Sequence, residues 1–167
     1  MRKRILILIA VMAVLLMVAG PVQATRPTDA EGLWQYMPTS AEERHANGGN
    51  TFLTVTEDGL WIGTFTGSST EEGTVVIHSS GSRFFRGTVS FDEVVVDGKS
   101  GALEMRVVGS SRDVSAGWEG KWVILGGTDE LATLRGQGTW WGLGWQGDPN
   151  VYGEIPYSGS IHFKPVE

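Results

Sequence analysis

The residues of this 167-residue chain that could carry out chemistry are few and far apart. The three histidines, His45, His78 and His162, lack the short spacing that is typical of metal ligands. The chain contains no cysteine, and no serine lies in the G-x-S-x-G pattern of a nucleophile elbow. We therefore expect no metal, no cofactor and no serine or cysteine nucleophile.

Acidic residues occur in adjacent pairs, mostly where turns are expected. Neighbouring residues of a strand face opposite sides of a sheet, so an adjacent pair is not by itself a catalytic dyad. Glu93 is the exception, because it follows Phe91 on the alternating apolar face that continues to Val95. An acid in an apolar interior is a candidate general acid or base. The alternatives are a β-bulge that turns Glu93 outward, or pairing with Arg86 or Arg135.

The elements that must position these side chains are strands, because short runs of β-branched and aromatic residues alternate with period two. The sequences Glu57-Asp58-Gly59 and Asp97-Gly98-Lys99 predict tight hairpins. One helical turn is predicted at 128–134, with Thr128 as its cap. The predicted strands are 33–37, 51–56, 60–66, 73–79, 83–96, 101–108, 118–125, 131–141 and 152–163.

This many antiparallel strands in one small domain must cover their edges, and closure into a barrel does so most completely. Glycines within predicted strands, such as Gly136 and Gly138, suit the bends of a strongly curved sheet. They do not continue into a dinucleotide-binding fingerprint, because Trp141 stands where its last glycine is needed. We predict an all-β fold, a single closed antiparallel β-barrel of about eight strands, with a two-sheet sandwich as the alternative.

Residues 1–24 have the three-part layout of a secretory signal peptide. The basic start Arg2-Lys3-Arg4 precedes an apolar run over 5–19, and Val22-Gln23-Ala24 provides a cleavage site. An uncleaved anchor is the alternative. We expect a secreted, periplasmic or cell-envelope protein that keeps no stable membrane span after cleavage.

The remaining 143 residues suit one domain. The predicted parts are an N-terminal segment 25–49 with the first short strand, a barrel domain 50–163 and a tail 164–167. Removing the three basic residues of the leader changes the formal net charge from −6 to −9. Such an acidic chain is a poor match for nucleic acid, which rewards clustered lysine and arginine.

The stretch 122–138, Trp-Val-Ile-Leu-Gly-Gly-Thr-Asp-Glu-Leu-Ala-Thr-Leu-Arg-Gly-Gln-Gly, carries a recognisable signature. It resembles the G-T-G, acidic or apolar residue, Leu/Phe-Ala, then G-x-G pattern of allene oxide cyclase and dirigent-like β-barrels, above all their uncharacterised bacterial and archaeal members. Asp129 replaces the last glycine of G-T-G. The resemblance covers roughly residues 50–163, and the further matching segments are Phe65-Thr-Gly67, Arg83-Phe-Phe-Arg-Gly-Thr88, Lys99-Ser-Gly-Ala-Leu103 and Tyr157-Ser-Gly-Ser-Ile-His-Phe163.

The resemblance implies a barrel that holds an apolar molecule and steers it by shape, and it is compatible with a homo-oligomer. The catalytic cysteine of the cyclases is absent, and their glutamate has no aligned counterpart. We therefore expect a small apolar or aromatic molecule to bind in the barrel cavity, without catalysis. The candidate ligand-binding residues are Trp61, Phe65, Phe91, Glu93, Met105, Trp122 and Trp140.

The sequence also leaves three alternatives to non-catalytic ligand binding. The first is a cofactor-free isomerase or cyclase with Glu93 as acid/base, and the second is a structural envelope protein whose barrel its own side chains fill. The third is a carbohydrate-binding module, which would need a row of exposed tryptophans. A cavity of roughly 300 Å³ or more favours binding or catalysis over a filled barrel.

Overall fold

The structure is a computed structural model that describes residues 26–45, 48–113, 115–142 and 153–165, with only the backbone of residues 44 and 45. The predicted signal peptide, the His45 side chain and Trp145 lie outside the described residues. Within the described ranges, no helix is long and apolar enough to cross a membrane.

Eight strands form one closed barrel in which each strand pairs with its sequence neighbours and β1 pairs with β8. All eight pairings are antiparallel, which confirms the predicted fold class. Because β1 belongs to the closed sheet, the barrel begins at Thr28 rather than at residue 50. The strands are β1 (Thr28–His45), β2 (Thr51–Gly63), β3 (Phe65–Ile77), β4 (Arg83–Val96), β5 (Lys99–Ser111), β6 (Trp118–Gly127), β7 (Leu134–Gly142) and β8 (Gly153–Phe163).

The predicted hairpin at Glu57-Asp58-Gly59 is wrong, because β2 runs straight through it. Glu57 faces the interior and Asp58 is exposed, so the alternation of the strand continues. Gly59 leaves room for the Trp34 ring, because a Cβ at this position would clash with it. The chain reverses instead after Gly63, whose φ of 115° favours glycine.

A β-bulge in β4 overturns the predicted inward position of Glu93. Phe91 pairs with Leu103 and Val94 pairs with Gly101, so three steps along β4 match two along β5. The extra residue shifts the alternation. Val94 is therefore buried, whereas Glu93 and Val95 are exposed on the outside of the barrel.

The other predicted turns lie close to their expected positions. Asp97 and Gly98 join β4 to β5 with φ values of 53° and 73°, the left-handed pair that a two-residue hairpin requires. The predicted helical turn is a 3₁₀ turn at Asp129–Leu131, and Asp129 has the positive φ of 51° that its glycine-like position requires. Thr128 precedes this turn without capping it, because its hydroxyl donates to the Asp129 carboxylate.

Large aromatic side chains fill the barrel by lying on interior glycines. A Cβ on Gly120 or on Gly109 would clash with the Trp140 ring, and a Cβ on Gly138 would meet the Trp122 ring at 2.5 Å. The missing Cβ atoms thus provide the volume that the indole rings occupy. The glycine-rich late strands thus shape a packed interior.

Candidate functional site

A small pocket lies inside the barrel, toward one of its ends. Five of its nine lining residues lie near the ends of β3 and β7 and near the starts of β4, β6 and β8, and the other four lie within β1 and β2. The pocket therefore lies toward the end of the barrel where β3 ends and β4 begins. Its volume is about 50 Å³, well below the ~300 Å³ of a typical small-molecule site. The lining residues are Trp34, Tyr36, Val55, Glu57, Val75, Phe85, Trp118, Trp140 and Ile155.

Of the seven candidate ligand-binding residues, only Trp140 lines this pocket. Glu93 lies on the outer surface. The other five are at most 2% exposed and belong to the packed core: Trp61, Phe65, Phe91, Met105 and Trp122.

Ring contacts show how closely the middle of the barrel is filled. The ring centroids of Trp61 and Phe91 are 5.5 Å apart, and those of Phe65 and Trp122 are 5.6 Å apart. Tyr157 lies beside Trp61 at 5.0 Å, and its hydroxyl accepts a hydrogen bond from the Phe65 amide at 3.1 Å. The protein's own side chains therefore occupy the space in which the sequence predicted a ligand.

The chemistry of the pocket comes from two acids that face each other across β2 and β3. Glu57 and Glu71 are direct partners in the strand register, and their exposed fractions are 7% and 1%. Glu57 lines the pocket, whereas Glu71 is fully enclosed behind it. On the other side of Glu71 is Gly87 of β4, where a Cβ would lie 2.9 Å from a Glu71 carboxyl oxygen.

Burial changes the protonation of this pair. Desolvation raises the pKa of Glu57 from 4.5 to about 7. Desolvation, together with the neighbouring Glu57 carboxyl, raises the pKa of Glu71 well above its ordinary value. Burial and Glu57 also raise the pKa of Tyr36, so its hydroxyl stays neutral. The two carboxyl groups titrate as a pair, and near neutral pH the pair retains at least one proton.

Four buried polar side-chain atoms have no hydrogen-bond partner among the described residues. They are both carboxyl oxygens of Glu71, the indole nitrogen of Trp34 and the Nε atom of Arg83, which lies at the start of β4. In contrast, the indole nitrogen of Trp61 donates to the Ser69 hydroxyl at 2.9 Å. Buried polar groups are usually paired, so the unpaired atoms mark this end of the barrel as unusual.

The described residues place no lysine, arginine or histidine in the pocket lining, so no side chain there balances a carboxylate. No group of three or more potential ligands in the described ranges could hold a metal ion. His78 is exposed and His162 is half-buried, and neither lines the pocket. The arrangement can accept hydrogen bonds, attract a cation or exchange a proton at Glu57.

Sequence reasoning missed the acid pair because Glu57-Asp58-Gly59 has the composition of a turn. One signal was present. Val55, Glu57, Gly59 and Trp61 alternate with period two, which places Glu57 on the same face as an interior tryptophan. No local pattern shows that Glu71 lies opposite, because that depends on the register between two strands.

The tryptophans give no support to a flat sugar-binding surface on the described part of the chain. Trp34, Trp61, Trp118, Trp122 and Trp140 are buried. Trp141 is 65% exposed and is the one exposed tryptophan within the described ranges. A row of exposed rings is therefore not present there.

The fold and the pocket define a small closed β-barrel with an acidic, aromatic-lined end. A solved structure of a protein of unknown function from the DUF3224 family of Shewanella oneidensis MR-1 has a similar fold, with a TM-score of 0.63. The alignment has 19% sequence identity and covers 84% of this chain and all of that chain. No protein-family model and no curated protein matches the sequence. At this level of sequence identity, the comparison supports the fold alone.

Proposed function

We propose that the protein binds a small molecule whose apolar or aromatic end inserts into the pocket at the barrel end. The observation that carries this proposal is a pocket lined by five aromatic and three aliphatic side chains, with a single carboxyl group, Glu57, among them. Apolar lining with one well-placed polar group is typical of small-molecule sites. The resemblance to allene oxide cyclase and dirigent-like barrels agrees with such a role.

The small volume limits what can enter. A pocket of about 50 Å³ has room for a few water molecules or for one end of a ligand, while the remainder lies at the barrel end. We accordingly place the ligand contacts at the pocket residues rather than at the core residues chosen from the sequence. In the proposed setting, residues 1–24 direct export and the ligand is met outside the cytoplasm.

The test is a titration with benzyl alcohol, monitored by tryptophan fluorescence, because three indole rings line the pocket. The substitution Val55→Phe fills the pocket and should abolish binding. Thr54→Phe is the matched control, since Thr54 is the adjacent, exposed residue of β2 and should leave binding unchanged. Circular dichroism establishes that both variants fold. Equal binding by wild type and Val55→Phe would contradict the proposed pocket.

A second candidate function is a cofactor-free isomerase that uses Glu57 as general acid and base. The observation that favours it is the pKa of about 7, which suits proton transfer near neutral pH. Exchange of α-hydrogens of small ketones in deuterated water, followed by NMR, would detect this chemistry. Exchange that the protein accelerates and Glu57→Gln abolishes supports it, and exchange at the buffer rate argues against it.

A further inference from the structure

We infer that the Glu57–Glu71 pair is a subsite for the protonated amino group of a small organic amine. This inference rests on the proposed pocket and names the class of ligand that it takes. The apolar part of the amine would lie against the aromatic lining, and its ammonium group would meet the Glu57 carboxylate.

The first argument is the balance of hydrogen-bond donors and acceptors. Both carboxyl oxygens of Glu71 are buried without a partner among the described residues. Glu57 lies directly opposite and forms the polar part of the pocket wall. Carboxylates only accept hydrogen bonds, whereas an ammonium group has three donors and no acceptor. The Trp34 indole nitrogen is also unpaired but enclosed, so Glu57 is the acidic group that a ligand in the pocket meets, and a ligand that brings donors complements its carboxylate.

The second argument is charge. A buried carboxylate needs a positive partner or a proton. The titratable groups facing the pair come from β1, β2 and β3: Tyr36, Glu57 and Glu71. On β4, Phe85, Gly87 and Val89 carry no charge, while Arg83 lies on the same face at the start of the strand, half-buried and outside the pocket lining. The pocket residues of β6, β7 and β8 carry no charge. Because no cationic side chain lines the pocket, the positive partner of an ionised Glu57 would come from the ligand.

The third argument is the aromatic wall. Trp34, Tyr36, Phe85, Trp118 and Trp140 make up five of the nine lining residues. Aromatic rings attract organic cations, most strongly where water is excluded. An aromatic wall around a carboxylate thus favours an ammonium group with an apolar substituent over a hydrated metal ion.

The roles of the two acids differ. Glu57 borders the cavity and would contact the ammonium group. Glu71 is enclosed behind it without a hydrogen-bond partner among the described residues, and it acts as a positioning residue through charge repulsion between the two carboxyl groups. When the amine binds below the pKa of Glu57, the ammonium keeps its charge and Glu57 releases one proton to solvent. Binding should therefore strengthen as the pH rises through about 7.

The experiment compares benzylamine with benzyl alcohol, and butylamine with butan-1-ol, by calorimetry at pH 8 and pH 5.5. We expect each amine to bind ~10-fold tighter than its alcohol at pH 8, the advantage of a charge-assisted hydrogen bond. Glu57→Gln should remove this advantage while alcohol binding remains. Glu71→Gln should shift the pH at which the advantage develops. Repeating titrations near pH 6.5 in buffers of different ionisation enthalpy should show proton release.

The outcomes separate the two proposals. Alcohols that bind as tightly as the amines would overturn the amine subsite and leave the proposed pocket standing. No binding of either class would overturn both, and would indicate that protons or water alone satisfy the pair. An amine preference that persists in Glu57→Gln, with no proton release, would also overturn the subsite, because the cation would then bind elsewhere.

Discussion

Glu57 and Glu71 lie directly opposite each other on β2 and β3, and both are buried inside the barrel. Two acids in one low-dielectric interior cannot both ionise cheaply, so the pKa of each is raised. An apolar pair at these positions would pack without that cost. The barrel therefore retains a destabilising feature where its pocket begins, which is the expected signature of a functional site.

The raised pKa values predict that the protein loses stability as the pH rises. The unfolded chain releases the Glu57 proton near pH 4.5, whereas the folded protein holds it to about pH 7. The contribution of this group to the free energy of unfolding is complete below pH 4.5. It falls by about 3 kcal/mol as the pH rises from 4.5 through 7. Glu71 acts in the same direction.

Urea unfolding between pH 4 and pH 8 measures how the free energy of unfolding changes with pH. The double variant Glu57→Gln/Glu71→Gln should flatten this dependence, and an unchanged slope in that variant would contradict the assignment.

Gly120→Ala tests the packing of indole rings on glycine. A Cβ there would clash with both the Val108 carbonyl and the Trp140 ring, so we expect a loss of about 1–3 kcal/mol in unfolding free energy. Gly126→Ala is the control, because nothing lies within 4 Å of a Cβ at that position and its φ is ordinary. Thermal and urea unfolding compare the two variants. Equal losses would show that the aromatic contact is not the cause.

The substitutions Trp34→Phe and Trp61→Phe form a matched pair, because each removes one buried indole ring. Only the indole nitrogen of Trp61 has a hydrogen-bond partner. The Trp34 nitrogen is buried without a partner, whereas the Trp61 nitrogen donates to Ser69. Removing an unpaired donor costs nothing in hydrogen bonding, so Trp61→Phe should be more destabilising by about 1 kcal/mol or more. The measurement is the difference in unfolding free energy. A larger loss for Trp34→Phe would mean that its nitrogen has a partner such as bound water.

Glu93→Gln should change neither stability nor ligand binding, because the bulge in β4 places this side chain outside the barrel. We expect the unfolding free energy to stay within ~0.5 kcal/mol of wild type. Comparing benzylamine binding by Glu93→Gln and by Glu57→Gln shows whether the exterior acid or the interior acid contributes to binding. A loss of binding in Glu93→Gln alone would restore the original candidate.

The sequence by itself determined the barrel. Period-two alternation, the hairpin at Asp97-Gly98 and the helical turn within 128–134 are local features, and each lies close to its predicted position. The inward faces of most strands were also readable, because a strand that buries one face must alternate. This is why Trp122, Met105 and Trp140 were correctly placed inside.

Only the tertiary structure decided which acidic side chains lie inside the barrel and how much space remains beside them. A single extra residue in β4 reversed the alternation and moved Glu93 outside, and such a bulge depends on pairing with β5 rather than on local composition. The register of β2 against β3 brought Glu57 opposite Glu71. The packed rings left a small pocket where the sequence predicted a larger cavity, because the free volume depends on all eight strands together.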